Sequence, residues 1–100
     1  MTRDQALQII LRALQNLNDE LSDDEKFKVG PITPLFGPNA TLDSLALVSV
    51  IVDVEGDIST ALGFSISLTD DRAMSQEVSP FDDVQTLLNY VMLLAEEGAK

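Results

Sequence analysis

Apolar residues recur every three or four positions near the start of the chain, which is the spacing of an amphipathic helix. Thr2 precedes this pattern as a favoured N-cap residue, and Asp4 lies in the first turn. The pattern therefore predicts a helix over about residues 3–17. Its apolar positions are Leu7, Ile10, Leu11, Leu14 and Leu17.

A second apolar pattern predicts a longer helix that begins at Asp43 or Ser44 and runs to about Leu62. Gly63 follows the last apolar position, as is typical of the residue at which a helix stops. Gly56 weakens the middle of this helix by about 1 kcal/mol relative to alanine. The expected buried face consists of Val48, Ile51, Val54, Ile58 and Leu62.

The last helix has the clearest start signal, because Ser79 is a favoured N-cap and Pro80 a favoured first helical residue. With Asp82 in the first turn, this signal predicts a helix over 80–96. Upstream, Thr69 is suited to cap a short helix over 70–77. The inner face of the last helix is expected to contain Val84, Leu87, Leu88, Val91 and either Leu94 or Ala95.

Residues 19–41 break the helical pattern and are predicted to form one long loop. Pro31, Pro34 and Pro38 exclude a helix there and disfavour a central strand. The loop is too apolar for a free linker, so we expect it to be strapped over the core. The side chains expected to hold it there are Phe27, Val29, Ile32, Leu35 and Phe36.

These elements predict a single all-α domain over residues 1–100. Three long helices, with a short third helix between the last two, form a small four-helix bundle. No apolar run approaches the roughly 20 residues that span a bilayer. The first residues also lack the apolar stretch of a signal peptide, and the chain has no cysteine, so we expect a cytoplasmic protein without membrane insertion.

The charge balance is strongly acidic. Seventeen acidic against six basic residues give a formal net charge of −11. Such a surface repels nucleic acids and anionic membranes, and it attracts basic protein surfaces. The same charge is also explained by solubility alone, so it does not separate a docking surface from a solvated one.

The sequence contains little chemistry for an enzyme. It has neither histidine nor cysteine and no glycine-rich phosphate loop. Asp53, Glu55 and Asp57 alternate on a predicted helix, so they fan around its axis and do not converge on one metal ion. We therefore expect no catalytic residues and no metal site, and a protein that is not an enzyme.

Ser44 lies where a loop rich in proline and glycine meets the second helix. The first backbone N–H groups of a helix lack partners and the helix dipole is positive there, so a phosphodiester on Ser44 would sit at a natural anion site. Asp and Ser are also favoured N-caps of any helix, so Asp43-Ser44-Leu45 alone is weak support for a modification site.

The segment Leu42-Asp43-Ser44-Leu45, followed by Val48, Ile51 and Val54, resembles the attachment-site helix of the acyl carrier protein family. The order of helices and the long first loop are similar over nearly the whole chain. The resemblance implies that a phosphopantetheinyl transferase adds 4′-phosphopantetheine from coenzyme A to Ser44. It further implies that Asp43 helps to engage the transferase and that Leu45 belongs to the docking surface.

The chain departs from the family pattern along this helix, which is about one turn longer than the common form. The family's attachment helix is acidic along its exposed face, whereas acids begin here only at Asp53 and Glu55. We therefore expect partners to contact a more apolar patch. Its members are Leu45, Ala46, Ser49 and Val52; the alternative is that Val52 is half buried against the bundle.

Three functions remain open at this point. The first is a monomeric acyl carrier whose thioester-bound cargo passes between acyl-activating, acyl-transfer and condensing enzymes of fatty acid, polyketide or other specialised biosynthesis. The second is an aminoacyl or peptidyl carrier with the same arm. The third is an unmodified acidic protein-interaction module in which Ser44 serves only as an N-cap.

Overall fold

The computed structural model describes residues 1–24, 26–37, 42–69 and 79–98. Three helices account for the regular structure of these ranges: α1 (Arg3–Glu20), α2 (Ser44–Leu62) and α3 (Val84–Gly98). α1 packs against both α2 and α3. The predicted all-α class and small helical bundle are confirmed for the described part of the chain. The predicted short helix over 70–77 lies outside it.

The hydrophobic core draws on all three helices and on the loops between them. Burial of these aliphatic side chains is the main stabilising term, at about 25 cal/mol for each Å² of apolar surface removed from water. The largest fully buried side chains include Ile10, Leu14, Leu35, Val54, Ile58, Leu68, Leu87 and Val91.

α1 begins where the sequence predicts, with Thr2 as the N-cap. The hydroxyl of Thr2 accepts from the Gln5 N–H at 3.1 Å, and the Gln5 side chain accepts from the Thr2 N–H at 2.8 Å. This reciprocal capping box satisfies two backbone donors that a helix start otherwise leaves to water.

α1 ends about one turn later than predicted, at Glu20. The buried Asn18 explains the extra turn. Its side-chain oxygen accepts from the Phe27 N–H at 2.9 Å, and its carbonyl accepts from the Lys26 ammonium at 2.9 Å. Both contacts come from the following loop, so the last turn is satisfied by tertiary contacts that the local apolar pattern does not reveal.

The predicted limits of α2 are confirmed. Asp43 is its N-cap, and Gly63 terminates it in the left-handed conformation with φ of +80°. A side chain at this φ is strained, which is why glycine is the usual residue at such a stop.

The predicted buried face of α2 is wrong at Val48, which is exposed, and Leu62 is only half buried. The segment from Leu45 to Val52 contains only one polar residue, so its apolar pattern does not define a unique inner face. The side chains of α2 that enter the core are Leu47, Val50, Ile51, Val54 and Ile58.

The loop before α2 is strapped to the bundle by fewer side chains than predicted. Leu35 is fully buried, and Phe27 and Val29 pack partly against the core. Ile32 and Phe36 point outward and are exposed, which corrects the prediction for both. Near Leu35 the chain is extended, so residues two apart share a side and alternate residues face solvent.

α3 starts four residues later than its sequence signal predicts, at Val84. Its first turn is closed by Asp83: the Asp83 carboxylate accepts from the Thr86 N–H at 2.8 Å, and the Thr86 hydroxyl accepts from the Asp83 N–H at 3.0 Å. The predicted N-cap at Ser79 is therefore wrong, and Pro80 is a buried residue of the preceding turn.

Pairing with the long loop explains the late start. The Leu35 N–H donates to the Asp82 carbonyl at 2.9 Å, and the Val84 N–H donates to the Thr33 carbonyl at 3.0 Å. These bonds frame an isolated antiparallel bridge between Pro34 and Asp83. Backbone held extended for this bridge is not available to a helix, so α3 forms only beyond it. Its predicted inner face is confirmed at Val84, Leu87, Leu88, Val91 and Ala95.

Candidate functional site

The predicted attachment segment lies at the start of α2. The Asp43 carboxylate accepts from the Ala46 N–H at 2.7 Å, and the Asp43 carbonyl accepts from the Leu47 N–H at 2.9 Å. Leu42, just before the cap, packs partly against the core. Ser44 is therefore the first residue of a helix whose start is held by the Asp43 cap and by packing of Leu42.

The capping role belongs to Asp43 and not to Ser44. The interpretation of Ser44 as only an N-cap is therefore wrong, because a helix has one such position and the aspartate fills it.

Three large apolar side chains follow Ser44 on the outside of α2. Leu45 is 77% exposed, and Val48 and Val52 are each 57% exposed. Spacings of three and four place all three on one face of the helix, together with the exposed Ser49. We call Leu45, Val48 and Val52 the outer stripe.

The outer stripe differs in part from the predicted patch. Leu45, Ser49 and Val52 are exposed as expected, and the alternative in which Val52 is half buried is wrong. Ala46 is half buried at the side of the helix. Val48 was missed because it was assigned to the core; its place beside Ser49 and one turn after Leu45 is the signal that could have found it.

The acids of α2 have two different settings. Asp53 and Asp57 are exposed, whereas Glu55 is half buried. The Glu55 carboxylate accepts from the Leu68 N–H at 2.8 Å, and so it holds the chain segment after α2 against the helix. Glu55 thus has a structural role that the sequence did not predict, while its role in partner binding stays a prediction.

Two open clefts lie at the far end of α2. One, of about 490 Å³, is lined by residues that include Ala61, Phe64 and Met92, and the other, of about 680 Å³, lies along Gln8 and Arg12 of α1. Ala61 follows Ser44 by seventeen residues, a separation of about 26 Å at 1.5 Å per residue. Neither cleft is therefore a neighbour of the predicted attachment residue.

Among residues 1–24, 26–37, 42–69 and 79–98, no helix has the length and apolar character needed to cross a bilayer. The same ranges contain no cluster of three acidic, histidine or cysteine side chains suited to hold a metal ion.

No family model, curated protein sequence or solved structure matches this chain significantly.

Proposed function

We propose that the protein is a carrier whose cargo is held on a 4′-phosphopantetheine arm attached to Ser44. The observation that carries this proposal is the position of Ser44 as the first residue of α2, with exposed Asp43 and Leu45 on either side. A modifying enzyme needs its target on an accessible and rigid segment. α2 is packed against the core through Val54 and Ile58, and the exposed Asp43 and Leu45 flank the serine, which supports both requirements.

The start of α2 suits a phosphodiester. Asp43 satisfies the N–H of Ala46, one of the unpaired donors of the first turn. The first N–H groups of a helix have no partner within the helix, and the positive end of the helix dipole favours an anion there. These residues fit the linkage that the proposal requires.

The attachment step is a phosphoryl-group transfer. The Ser44 hydroxyl oxygen forms a bond to the phosphorus that bears the pantetheine of coenzyme A, and the pyrophosphate bond breaks. Adenosine 3′,5′-bisphosphate leaves, and the hydroxyl proton passes to a base of the transferase or to water. The arm then supplies the thiol that this cysteine-free chain lacks.

We also propose the remaining features that the family resemblance implies. These are a four-helix carrier bundle, completed by a short helix between α2 and α3, and cargo bound as a thioester. An acyl group is the first candidate cargo, and an aminoacyl or peptidyl group uses the same arm and the same serine. In each case the carrier has no catalytic residues and serves as the substrate of partner enzymes.

An unmodified interaction module is the second candidate function. The exposed outer stripe favours it, since apolar side chains grouped on a surface are typical of protein-binding sites. This candidate assigns no role to Ser44, because Asp43 provides the cap of α2. The carrier function gives the serine a role and is compatible with the exposed apolar side chains.

Intact-mass spectrometry tests the proposal. The purified protein is incubated with coenzyme A, magnesium and a broad-specificity phosphopantetheinyl transferase, and Ser44→Ala is treated in parallel. Ser49→Ala is the matched control, because Ser49 is an exposed serine on the same helix. We expect a gain of one phosphopantetheine in the wild type and in Ser49→Ala, and none in Ser44→Ala. A chain that stays unmodified with several transferases would contradict the carrier function.

A further inference from the structure

The cleft between the ends of α2 and α3 is an apolar surface that the bundle leaves open. It has a volume of about 490 Å³, within the range of about 300–1,000 Å³ that is typical of binding sites. Ala61 follows Val54 by two turns on the inner face of α2, yet it is exposed. The inner face of α2 therefore extends beyond the part that the bundle covers. We call this surface the α2–α3 cleft; its lining includes Ala61, Leu62, Phe64, Met92, Ala95 and Glu96.

The walls of the α2–α3 cleft combine a fixed and an adaptable side chain. A Cβ on Gly98 would overlap the ring of Phe64, so the ring lies directly against the backbone at the end of α3. A wall that is in place before binding lowers the entropy lost on association. Met92 also lines the cleft, and its flexible thioether side chain adapts to apolar groups of different shape.

The electrostatic potential at the α2–α3 cleft is negative. α2 ends at Leu62 and α3 ends at Gly98, so the negative ends of two helix dipoles lie at the cleft. Neither helix has a basic residue in its last turn, and Glu96 of the last turn of α3 lines the cleft. An acid at the C-terminal end opposes the dipole, so α3 itself would be more stable with a neutral residue there.

The neighbouring cleft along α1 differs in charge. Its lining includes Asp4 and Arg12, so an acidic and a basic side chain offset each other there. The described lining residues of the α2–α3 cleft include one acidic side chain and no basic one. Asp57 adds an exposed carboxylate one turn before Ala61. The α2–α3 cleft is therefore an apolar surface with a negative border.

These features select the occupant of the cleft. A second copy of the chain, with its net charge of −11, and an anionic lipid are both repelled by a negative border. The described walls are two helix ends and a connecting residue, so an extended peptide has no strand edge to pair with here. A helix satisfies its own backbone groups and binds such a surface through an apolar face.

We infer that the α2–α3 cleft is a docking site for an amphipathic helix of another protein, one whose apolar face is flanked by lysine or arginine. The apolar face contacts Phe64 and Met92, and the basic side chains lie beside Glu96. Ala61 follows Ser44 by about 26 Å along α2, so a partner bound here leaves the start of that helix free. The inference therefore does not depend on modification of Ser44.

A synthetic helical peptide of leucine and lysine, about 18 residues or five turns long, is the probe. Its leucines lie on one face, and a control peptide of the same composition has them spread around the helix. Fluorescence anisotropy measures Kd for wild type, Ala61→Arg and Ser49→Arg, two variants with the same added charge at exposed positions of α2. We expect Ala61→Arg to raise Kd about tenfold or more and Ser49→Arg to leave it within about twofold.

The contribution of charge is tested by Glu96→Gln, with Asp23→Asn as the matched control because both remove one exposed carboxylate. We expect Glu96→Gln to raise Kd about threefold or more and to reduce its dependence on salt. The same variant should unfold at or slightly above the Tm of wild type, because it removes an acid from the end of α3. Asp23→Asn should leave Kd within about twofold.

Two-dimensional amide NMR spectra locate the bound peptide, and the expected shifts lie around Phe64 and Met92. Shifts confined to Leu45 and Val52, equal Kd values for Ala61→Arg and Ser49→Arg, or no binding at all would overturn the inference. Equal binding of the control peptide would also overturn it, since charge alone would then account for the affinity. A concentration-dependent dimer that Ala61→Arg abolishes would identify a second copy as the occupant and overturn it too.

Discussion

The two faces of α2 both contain valines, but the valines have different environments. Val50 and Val54 on the inner face are buried, whereas Val48 and Val52 on the outer face are more than half exposed. Burial of a valine contributes about 1.5–3 kcal/mol relative to leaving it exposed. The outer valines forgo more than half of that contribution, so burial in the core does not account for valine at these two positions.

The largest difference in stability is expected when a valine is changed to aspartate on each face of α2 in turn. Val54→Asp puts a carboxylate into the core, which costs several kcal/mol or forces its protonation. That cost is comparable with the roughly 5–15 kcal/mol of total stability of a small domain. We expect Val54→Asp to lose cooperative thermal unfolding by circular dichroism, and Val52→Asp to unfold within a few degrees of wild type. Similar losses in both variants would contradict the distinction between the faces.

Two glycine substitutions are expected to have opposite signs. A Cβ at Gly56 would meet no atom within 4 Å, so Gly56→Ala should stabilise the protein by about 1 kcal/mol through helix propensity. Gly63 has φ of +80°, so Gly63→Ala should destabilise it by about 1 kcal/mol. Urea denaturation of both variants measures the difference. A loss of stability in Gly56→Ala would mean that the outer face packs against the rest of the chain.

Substitutions at the N-cap of α2, where both faces of the helix start, should change stability by a smaller amount. Asp43→Ala should cost about 1 kcal/mol, whereas Asp43→Asn keeps a capping oxygen and should cost only a few tenths. Ser44→Ala should also cost only a few tenths, because alanine is a good helix former at a position without a capping role. Urea denaturation measures these free energies of unfolding. An equal loss of unfolding free energy in Ser44→Ala and Asp43→Ala would contradict the assignment of the cap.

Salt should have the smallest effect on folding. At a net charge of −11 the folded chain repels itself, and exposed acids such as Asp53 and Asp57 contribute to this repulsion. We expect sodium chloride, or magnesium at millimolar concentration, to raise Tm by a few degrees. Differential scanning calorimetry over a salt series measures the rise. An unchanged Tm would indicate that the acids are dispersed or paired.

The sequence correctly predicted the helix ends that depend only on neighbouring residues. Thr2 starts α1 and Gly63 stops α2 as expected, because a cap and a left-handed stop each depend on a few neighbouring residues. The start of α3 could not be predicted in the same way. Ser79-Pro80 resembles a helix start, but pairing of Asp83 with the distant Pro34 holds the chain extended there.

The candidate site was predictable in part. The helix start at Asp43 and Ser44 was predicted at the right place because a helix start depends on local signals, while the use of Ser44 as an attachment residue stays a prediction. The outer stripe was only partly recognised, since the uninterrupted apolar run around Val48 does not reveal which side faces the core. The role of Glu55 depends on Leu68, thirteen residues away, so no local pattern indicates it.

The central claim is tested most directly by locating the modification on the chain. The protein is treated with coenzyme A, magnesium and a phosphopantetheinyl transferase, and the product is fragmented by electron-transfer mass spectrometry. The account predicts a single phosphopantetheine on Ser44 and none on Ser49. An unmodified chain, or an arm on any other serine, would contradict it.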